Sequence, residues 1–344
     1  MEKITNIPIK GYASFHPLKH CMVGKGFEAK WFDKLFQNKK ISDPFKRIAD
    51  ETEEDYLKLI DILKSAGVKV YRPDPIPFDS LEKIGRPPVA PRDHFATIGT
   101  TFYACQKTNG YGSILKKIKK ENLHLRNFPF GGAISTAHIS RVGKDLFWDS
   151  VFYPRYSKTK AEGISDSFNE KKYKELWESE GFRVHTSHRG YHNDGSFCIV
   201  KPGLIVSLFE VQNYTKEFPN WDVLYLPDQS WNKISPFRKI QEKVKGRWWL
   251  KGEEDNNQLI EFVNSWLNDW VGYVEETVFD VNMLSIDENT IICNNYNKEV
   301  FNHFKKHKVE PILFNFRHRY FWDGGVHCIT QDLYREGTME DYFG

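Results

Sequence analysis

The sequence predicts an α/β protein made of a β-β-α-β unit, repeated about five times and closed around an axis. Three observations lead there. Short apolar strands come in pairs around tight turns, amphipathic helical stretches separate the pairs, and a further apolar strand follows several of the helices. One such unit cannot bury both faces of its small sheet, whereas several set around an axis can. One closed body over residues 1–344 is therefore expected, rather than two separate domains.

In chain order, a strand at 20–23 meets Gly24 and is the weakest of the paired signals. A helix over 44–66 follows, with Asp43 as its N-cap, Pro44 at its first position and Gly67 as its stop. Tyr56, Leu59, Ile60 and Leu63 form its apolar face. Strand 68–71 comes next, then strands 95–98 and 102–105 around Gly99, and a short helix carrying Ile114, Leu115 and Ile118. Strands 138–142 and 146–148 flank Gly143-Lys144, before helix 166–180 and strand 182–185. The clearest pair is 196–200 and 204–208 around Lys201-Pro202-Gly203, where Pro followed by Gly is strong turn chemistry. Strand 223–226 and helix 256–270 lead to strands 281–286 and 290–293 around Asp287-Glu288-Asn289, then helix 297–307 and strand 309–314.

Composition narrows the function classes. Of 344 residues, 40% are apolar, enough for a sizeable core, which excludes wholesale disorder and a coiled coil. No run approaches the ~18 apolar residues of a membrane span, and residues 1–10 lack a signal-peptide layout. Lys+Arg 49 against Asp+Glu 46 leaves +3, too balanced for a chain whose main partner is nucleic acid. Five scattered cysteines do not make a disulfide framework. A cytoplasmic protein is expected.

Cys21, Cys105, Cys198 and Cys293 fall inside apolar strands and read as small buried hydrophobes. Cys328 differs, because it ends Gly324-Gly325-Val326-His327-Cys328, where paired glycines permit close backbone approach by a ligand. With His and Asp supplied from elsewhere it is a candidate nucleophile. His192 and Asp194, two apart on one extended segment, point the same way. That His can move protons near pH 7, and the carboxylate can hold a cation. Pro91-Arg92-Asp93-His94 occupies the matching place in its own unit. Asp93 and Asp194 would then converge on the axis, a good site for a planar cation such as guanidinium.

These residues resemble the amidinotransferases that move the amidino group of L-arginine to an amine, within the larger guanidino-group-modifying superfamily. The resemblance runs along most of the chain. It rests on Val70-Tyr71-Arg72-Pro73-Asp74-Pro75, Pro91-Arg92-Asp93, Arg141-Val142-Gly143-Lys144-Asp145, His192-Asn193-Asp194 with Ser196-Phe197, Val281-Asn282-Met283-Leu284, and Gly325-Val326-His327-Cys328 with Thr330, Asp332 and Arg335-Glu336-Gly337. It implies a five-fold pseudo-symmetric α/β propeller of ββαβ modules. It also implies Cys328 as nucleophile, His192 as acid/base and Asp93 and Asp194 as the guanidinium's carboxylates; Arg92, Ser135 and Glu276 are further expected substrate contacts. The implied partners are L-arginine and an amine acceptor, with no metal or organic cofactor, no nucleic acid and no membrane; a homodimer is compatible with the family.

The chain departs from that pattern in three places. Ser135-Thr136-Ala137-His138 stands where the family has an acidic segment of Asp-Ala-Ala-Asp type, leaving Glu275, Glu276 or Glu210 to supply a carboxylate. Phe209-Glu210-Val211 stands where glycine-accepting members place an Arg, and Glu275-Glu276 where they have serines. Losing a cation and gaining acids disfavours an anionic group there, so a neutral or cationic acceptor is expected. A hydrolase of the same superfamily and a non-catalytic binding protein are the competing readings. His185, His188, His192 and Asp194 fit no standard zinc spacing. His303 and His307, four apart on a helix without the Glu of a metalloprotease motif, read as surface residues, and Lys116, Lys117, Lys119 and Lys120 as a solvated face.

Overall fold

The computed structural model describes residues 6–76, 85–105, 110–126, 134–150, 167–188, 192–208, 213–226, 250–266 and 280–344. The strands run β1 (Leu18–Val23), β2 (Lys69–Tyr71), β3 (Ala96–Ile98), β4 (Thr101–Cys105), β5 (Leu123–Arg126), β6 (Ile139–Val142), β7 (Asp145–Asp149), β8 (Arg183–Ser187), β9 (Phe197–Lys201), β10 (Leu204–Ser207), β11 (Asp222–Tyr225), β12 (Leu284–Ser285), β13 (Thr290–Cys293), β14 (Glu310–Leu313) and β15 (Thr330–Arg335). The helices are α1 (Lys30–Leu35), α2 (Lys39–Ser65), α3 (Gly112–Leu115), α4 (Ser167–Ser179), α5 (Tyr214–Glu217), α6 (Asn257–Trp266), α7 (Lys298–Lys306) and α8 (Arg319–Trp322).

Among the described residues the strands form five three-stranded sheets, β15-β1-β2, β3-β4-β5, β6-β7-β8, β9-β10-β11 and β12-β13-β14. In each, the first strand pairs antiparallel with the middle one and the third pairs parallel. The first strands are almost wholly buried and the third strands partly exposed, so the former line the axis and the latter the rim. This is a five-fold pseudo-symmetric α/β propeller. Among the described residues, no helix is long and apolar enough to cross a membrane.

Two expectations change. The strand at 20–23 is not half of a local hairpin. Its antiparallel partner is β15, from the far end of the chain, with Val23 opposite Thr330 and Leu18 opposite Arg335. The first sheet is therefore assembled from both ends of the sequence. The long helix also starts one turn before Asp43. Asn38 is its N-cap, accepting from the Lys40 amide, and Pro44 sits inside it. Proline leaves the carbonyl four residues back without its donor. Here the Lys40 carbonyl accepts instead from Asn256 Nδ2 at 2.7 Å, next to α6.

Tyr56, Leu59, Ile60 and Leu63 of α2 are buried as the periodicity requires. Each such side chain contributes about 1.5–3 kcal/mol on burial. The same core holds Phe27, Phe32, Phe45 and Trp322. Trp322 is fully buried and donates its indole N–H to Thr52 Oγ1 at 2.9 Å. Helix α2 thereby anchors α8, the element that leads into Cys328.

At the axis the Asp332 carboxylate of β15 bonds Arg92, Arg141 and Arg335. These belong to the turn before β3, to β6 and to β15, so one buried carboxylate ties three modules. The three guanidiniums hold Asp332 well below the usual carboxylate range, against burial that pushes it up.

Candidate active site

Each module sends the turn that precedes its axial strand toward the same centre. Asp93 ends the turn before β3, and Ser135–His138 precede β6. His192 and Asp194 precede β9, Asn282 precedes β12, and Cys328 precedes β15. Sequence reading paired two of these positions, and the structure supplies the same position in all five units.

The Cys328 turn is fixed by its neighbours. Asp323 takes the left-handed conformation at the end of α8, φ 49°, and Gly324-Gly325 follow. A Cβ on Gly325 would lie 2.5 Å from Asn282 Oδ1 and 2.8 Å from Asn294 Nδ2, so this position has no room for a side chain. Asn294 Oδ1 accepts from the Val326 amide at 2.7 Å. Asn282 Oδ1 accepts from the His327 amide at 3.0 Å, and its Nδ2 donates to Cys328 Sγ at 3.1 Å. These side-chain tasks explain why 281–286 yields only the two-residue β12: the Asn282 carbonyl is also taken, by Asn294 Nδ2 at 2.5 Å.

Asp194 is the hub of the reactive groups. Its Oδ2 lies 3.6 Å from the Cys328 sulfur and 2.7 Å from His327 Nδ1, with which it shares a proton. Its Oδ1 lies 4.0 Å from His192 Nδ1. The thiol and the His192 imidazole are thus separated by a single carboxylate. Cys328 is 4% exposed and the His192 side chain 32%, so the centre opens on the His192 side. Asn193 holds this loop against the third module by donating to the carbonyls of His138 at 2.9 Å and Phe147 at 3.0 Å.

Electrostatics follow from burial and like charge. Desolvation, then the nearby charges of Asp194 and Asp93, push the Cys328 thiol well above its ordinary value, opposed by the Asn282 hydrogen bond. Desolvation and Asp93 raise Asp194 to about 8, with Arg92 and the hydrogen bonds from Cys328 and Asn282 pulling the other way. Burial, helped by Arg92, lowers His327 well below a free imidazole. Without substrate the centre is one that a delocalised cation would relax, since it would offset the carboxylate charges that disfavour a thiolate.

Among the expected site residues, Cys328, His192, Asp194 and Asp93 assemble. Arg92 also has a structural part. It is fully buried, with its Nη1 on Asp332 and Thr136 Oγ1, its Nε on the His327 carbonyl, and its backbone amide on the Cys328 carbonyl. It clamps the Cys328 turn, while its Nη2 is buried without a hydrogen-bond partner among the described residues. Ser135 is buried, and its hydroxyl makes no hydrogen bond among the described residues. Glu276, with Glu275 and Glu210, lies outside the described residues. The His185 and His188 rings pair with Asp145 and Glu170.

Three residues quoted in motifs received no role from the sequence: Asn282, His327 and His138. The His138 ring packs edge-on against His192, centroids 4.5 Å apart, in the segment where an acid was missed. An imidazole therefore flanks His192 there. Beneath Asp194 lies a cavity of about 40 Å³, lined by Arg92, Arg141, Arg335, Ser140 and Ser285 among others. It has room for no more than a few waters. A ligand of amino-acid size would have to approach from the His192 side.

No family model matches the chain. It is 22% identical over 316 residues to an L-arginine:L-lysine amidinotransferase of Pseudomonas savastanoi pv. phaseolicola, covering 82% of this chain and 78% of that protein. It is 21% identical, over an alignment of 406 residues, to the mitochondrial glycine amidinotransferase of Gallus gallus, covering 98% and 85%. Its fold matches that of SxtG, an amidinotransferase from Microseira wollei, with a TM-score of 0.67 and 18% identity over 98% of this chain and 100% of that one.

Proposed function

We propose that this chain, which is similar to amidinotransferases along most of its length, transfers the amidino group of L-arginine to an amine through a covalent intermediate on Cys328. The observation that carries the reading is the Asp194 carboxylate, set between a buried thiol and the His192 imidazole with Asp93 beside it.

Asp93 and Asp194 hold the guanidinium by paired hydrogen bonds. Its charge offsets theirs, the thiol loses its proton to His192, and sulfur attacks the guanidino carbon. The bond from that carbon to the δ-nitrogen breaks as His192 returns the proton, and ornithine leaves. The amidino group remains on sulfur. The acceptor amine then gives a proton to His192 and attacks the same carbon, the carbon–sulfur bond breaks, and the thiol and a guanidino product are restored. The Asn282 N–H stabilises negative charge on sulfur in both half-reactions. His138 and His327 position the imidazole and carboxylate from either side. A cytoplasmic location suits a nucleophile that must stay a free thiol.

The acceptor is read as a neutral or cationic amine, because the chain replaces the family's Arg by the Phe209-Glu210-Val211 segment and its serines by Glu275-Glu276. The test is product analysis of arginine incubated with the protein and a panel of amines, including glycine, lysine and diamines. Ornithine with a guanidino product from a non-anionic amine is expected. Citrulline in place of ornithine would make the protein a hydrolase, and a clear preference for glycine would overturn the acceptor reading.

A further inference from the structure

Helix α7 carries His303 and is capped by His307, four residues apart and so on one face. Their rings lie 4.8 Å apart. Across from them is Asp222, the first residue of β11 at the rim of the fourth sheet. Its Oδ2 is 2.8 Å from His307 Nε2 and 3.6 Å from His303 Nε2. One ligand-capable atom from each residue lies within 4.8 Å of the others, the one such group of three among the described residues. We propose that Asp222, His303 and His307 bind a divalent transition-metal ion of the zinc class, which joins the fourth sheet to the helix of the fifth module.

Three features support it. First, the donor set is two imidazoles and one carboxylate. That set suits Zn²⁺, Co²⁺ or Ni²⁺ and not Mg²⁺ or Ca²⁺, which take oxygen shells. Second, His303 Nε2 is buried and has no hydrogen-bond partner among the described residues, so a donor atom is held ready inside the cluster. Third, the spacing is close to that required. Tetrahedral ligand atoms about 2.0–2.1 Å from a metal lie roughly 3.3 Å from one another, a value bracketed by the 2.8 and 3.6 Å separations from Asp222 Oδ2.

The ion would replace the proton that His307 Nε2 now shares with Asp222. The other charged groups facing the cluster are Lys306, with Nζ 3.5 Å from Asp222 Oδ2, and Lys201, bonded to the His307 carbonyl. Lys306 is 70% exposed, so it can withdraw into solvent when a cation arrives.

The catalytic cluster also contains a thiol, an imidazole and a carboxylate, so the test uses the Cys328→Ala protein as its background. Metal-free protein is titrated with Zn²⁺ by calorimetry and with Co²⁺ by visible absorption. One ion per chain, a tetrahedral cobalt spectrum and no uptake of Mg²⁺ are expected. Adding His303→Ala, His307→Ala or the near-isosteric Asp222→Asn should each weaken Zn²⁺ binding at least about tenfold. Zn²⁺ should raise the melting temperature of the background and not of the His303→Ala variant. No binding at micromolar ion, or binding undiminished in all three variants, overturns the proposal.

Discussion

Asn282 donates its side-chain N–H to the sulfur of Cys328 at 3.1 Å, the shortest polar contact recorded for that sulfur among the described residues. The same amide group accepts from the His327 backbone N–H. One side chain therefore both shapes the Cys328 turn and favours negative charge on its sulfur. Asn282→Ala should lower turnover about 10- to 100-fold, the loss of one hydrogen bond to a charged atom. It should also move the pH midpoint of Cys328 alkylation upward. An unchanged midpoint would mean that Asn282 acts on the backbone alone.

The thiol is raised by burial and by two carboxylates, so a cation should unlock it. At neutral pH a neutral haloacetamide is expected to label Cys328 slowly. A cationic haloamidine of similar size should label it at least about tenfold faster, since each pKa unit recovered is a tenfold gain in thiolate. Equal rates for the two reagents would remove Asp93 and Asp194 from the electrostatics of the centre.

Asp194 stands near pH 8 in the substrate-free protein against an ordinary value of 3.8. The folded state therefore holds its proton more tightly than the unfolded chain does. This contribution to stability is present below about pH 4 and is lost as pH rises through about 8. The neighbours that set it are Asp93, Arg92, Cys328, Asn282 and His327. Bound guanidinium favours the carboxylate form, so arginine binding at pH 7 should release up to about one proton. Calorimetry in buffers of different ionisation enthalpy reads this directly, and Asp194→Asn should abolish it. Proton uptake would reverse the assignment.

Asp332 neutralises part of the charge of three buried arginines at the axis. Breaking a buried ion pair on one side costs about 3–5 kcal/mol. Asp332→Ala should lower the denaturation midpoint by that order and loosen the Cys328 turn through Arg92. A variant with unchanged stability would show that the arginines find other partners.

Much of the architecture was legible because local signals agreed with it. The 196–200 and 204–208 strands flank a Pro-Gly turn, and 290–293 matches β13 residue for residue. What failed to show was long-range. Strand β15 has no hairpin partner nearby, so its pairing with β1 leaves no mark in either local segment. The α2 start was misread because Pro44 is a strong first-turn signal, and its tolerance inside the helix depends on Asn256, more than two hundred residues away.

The site was legible where residue type alone implied chemistry, as for Cys328, His192, Asp93 and Asp194. The structural part of Arg92 was not legible, because only the position of Asp332 shows that its Nη1 is engaged there. His138 and Asn282 were overlooked because their roles come from the ring and the sulfur they touch in space.

The most direct measurement is mass spectrometry of the protein incubated with L-arginine in the absence of an acceptor, quenched and digested. The Cys328 peptide should gain the mass of one amidino group with release of an equivalent of ornithine. The gain should disappear on adding a competent amine and be absent in a folded Cys328→Ala protein. Ornithine formation with an unmodified Cys328, or transfer that survives Cys328→Ala, would contradict covalent transfer through this residue.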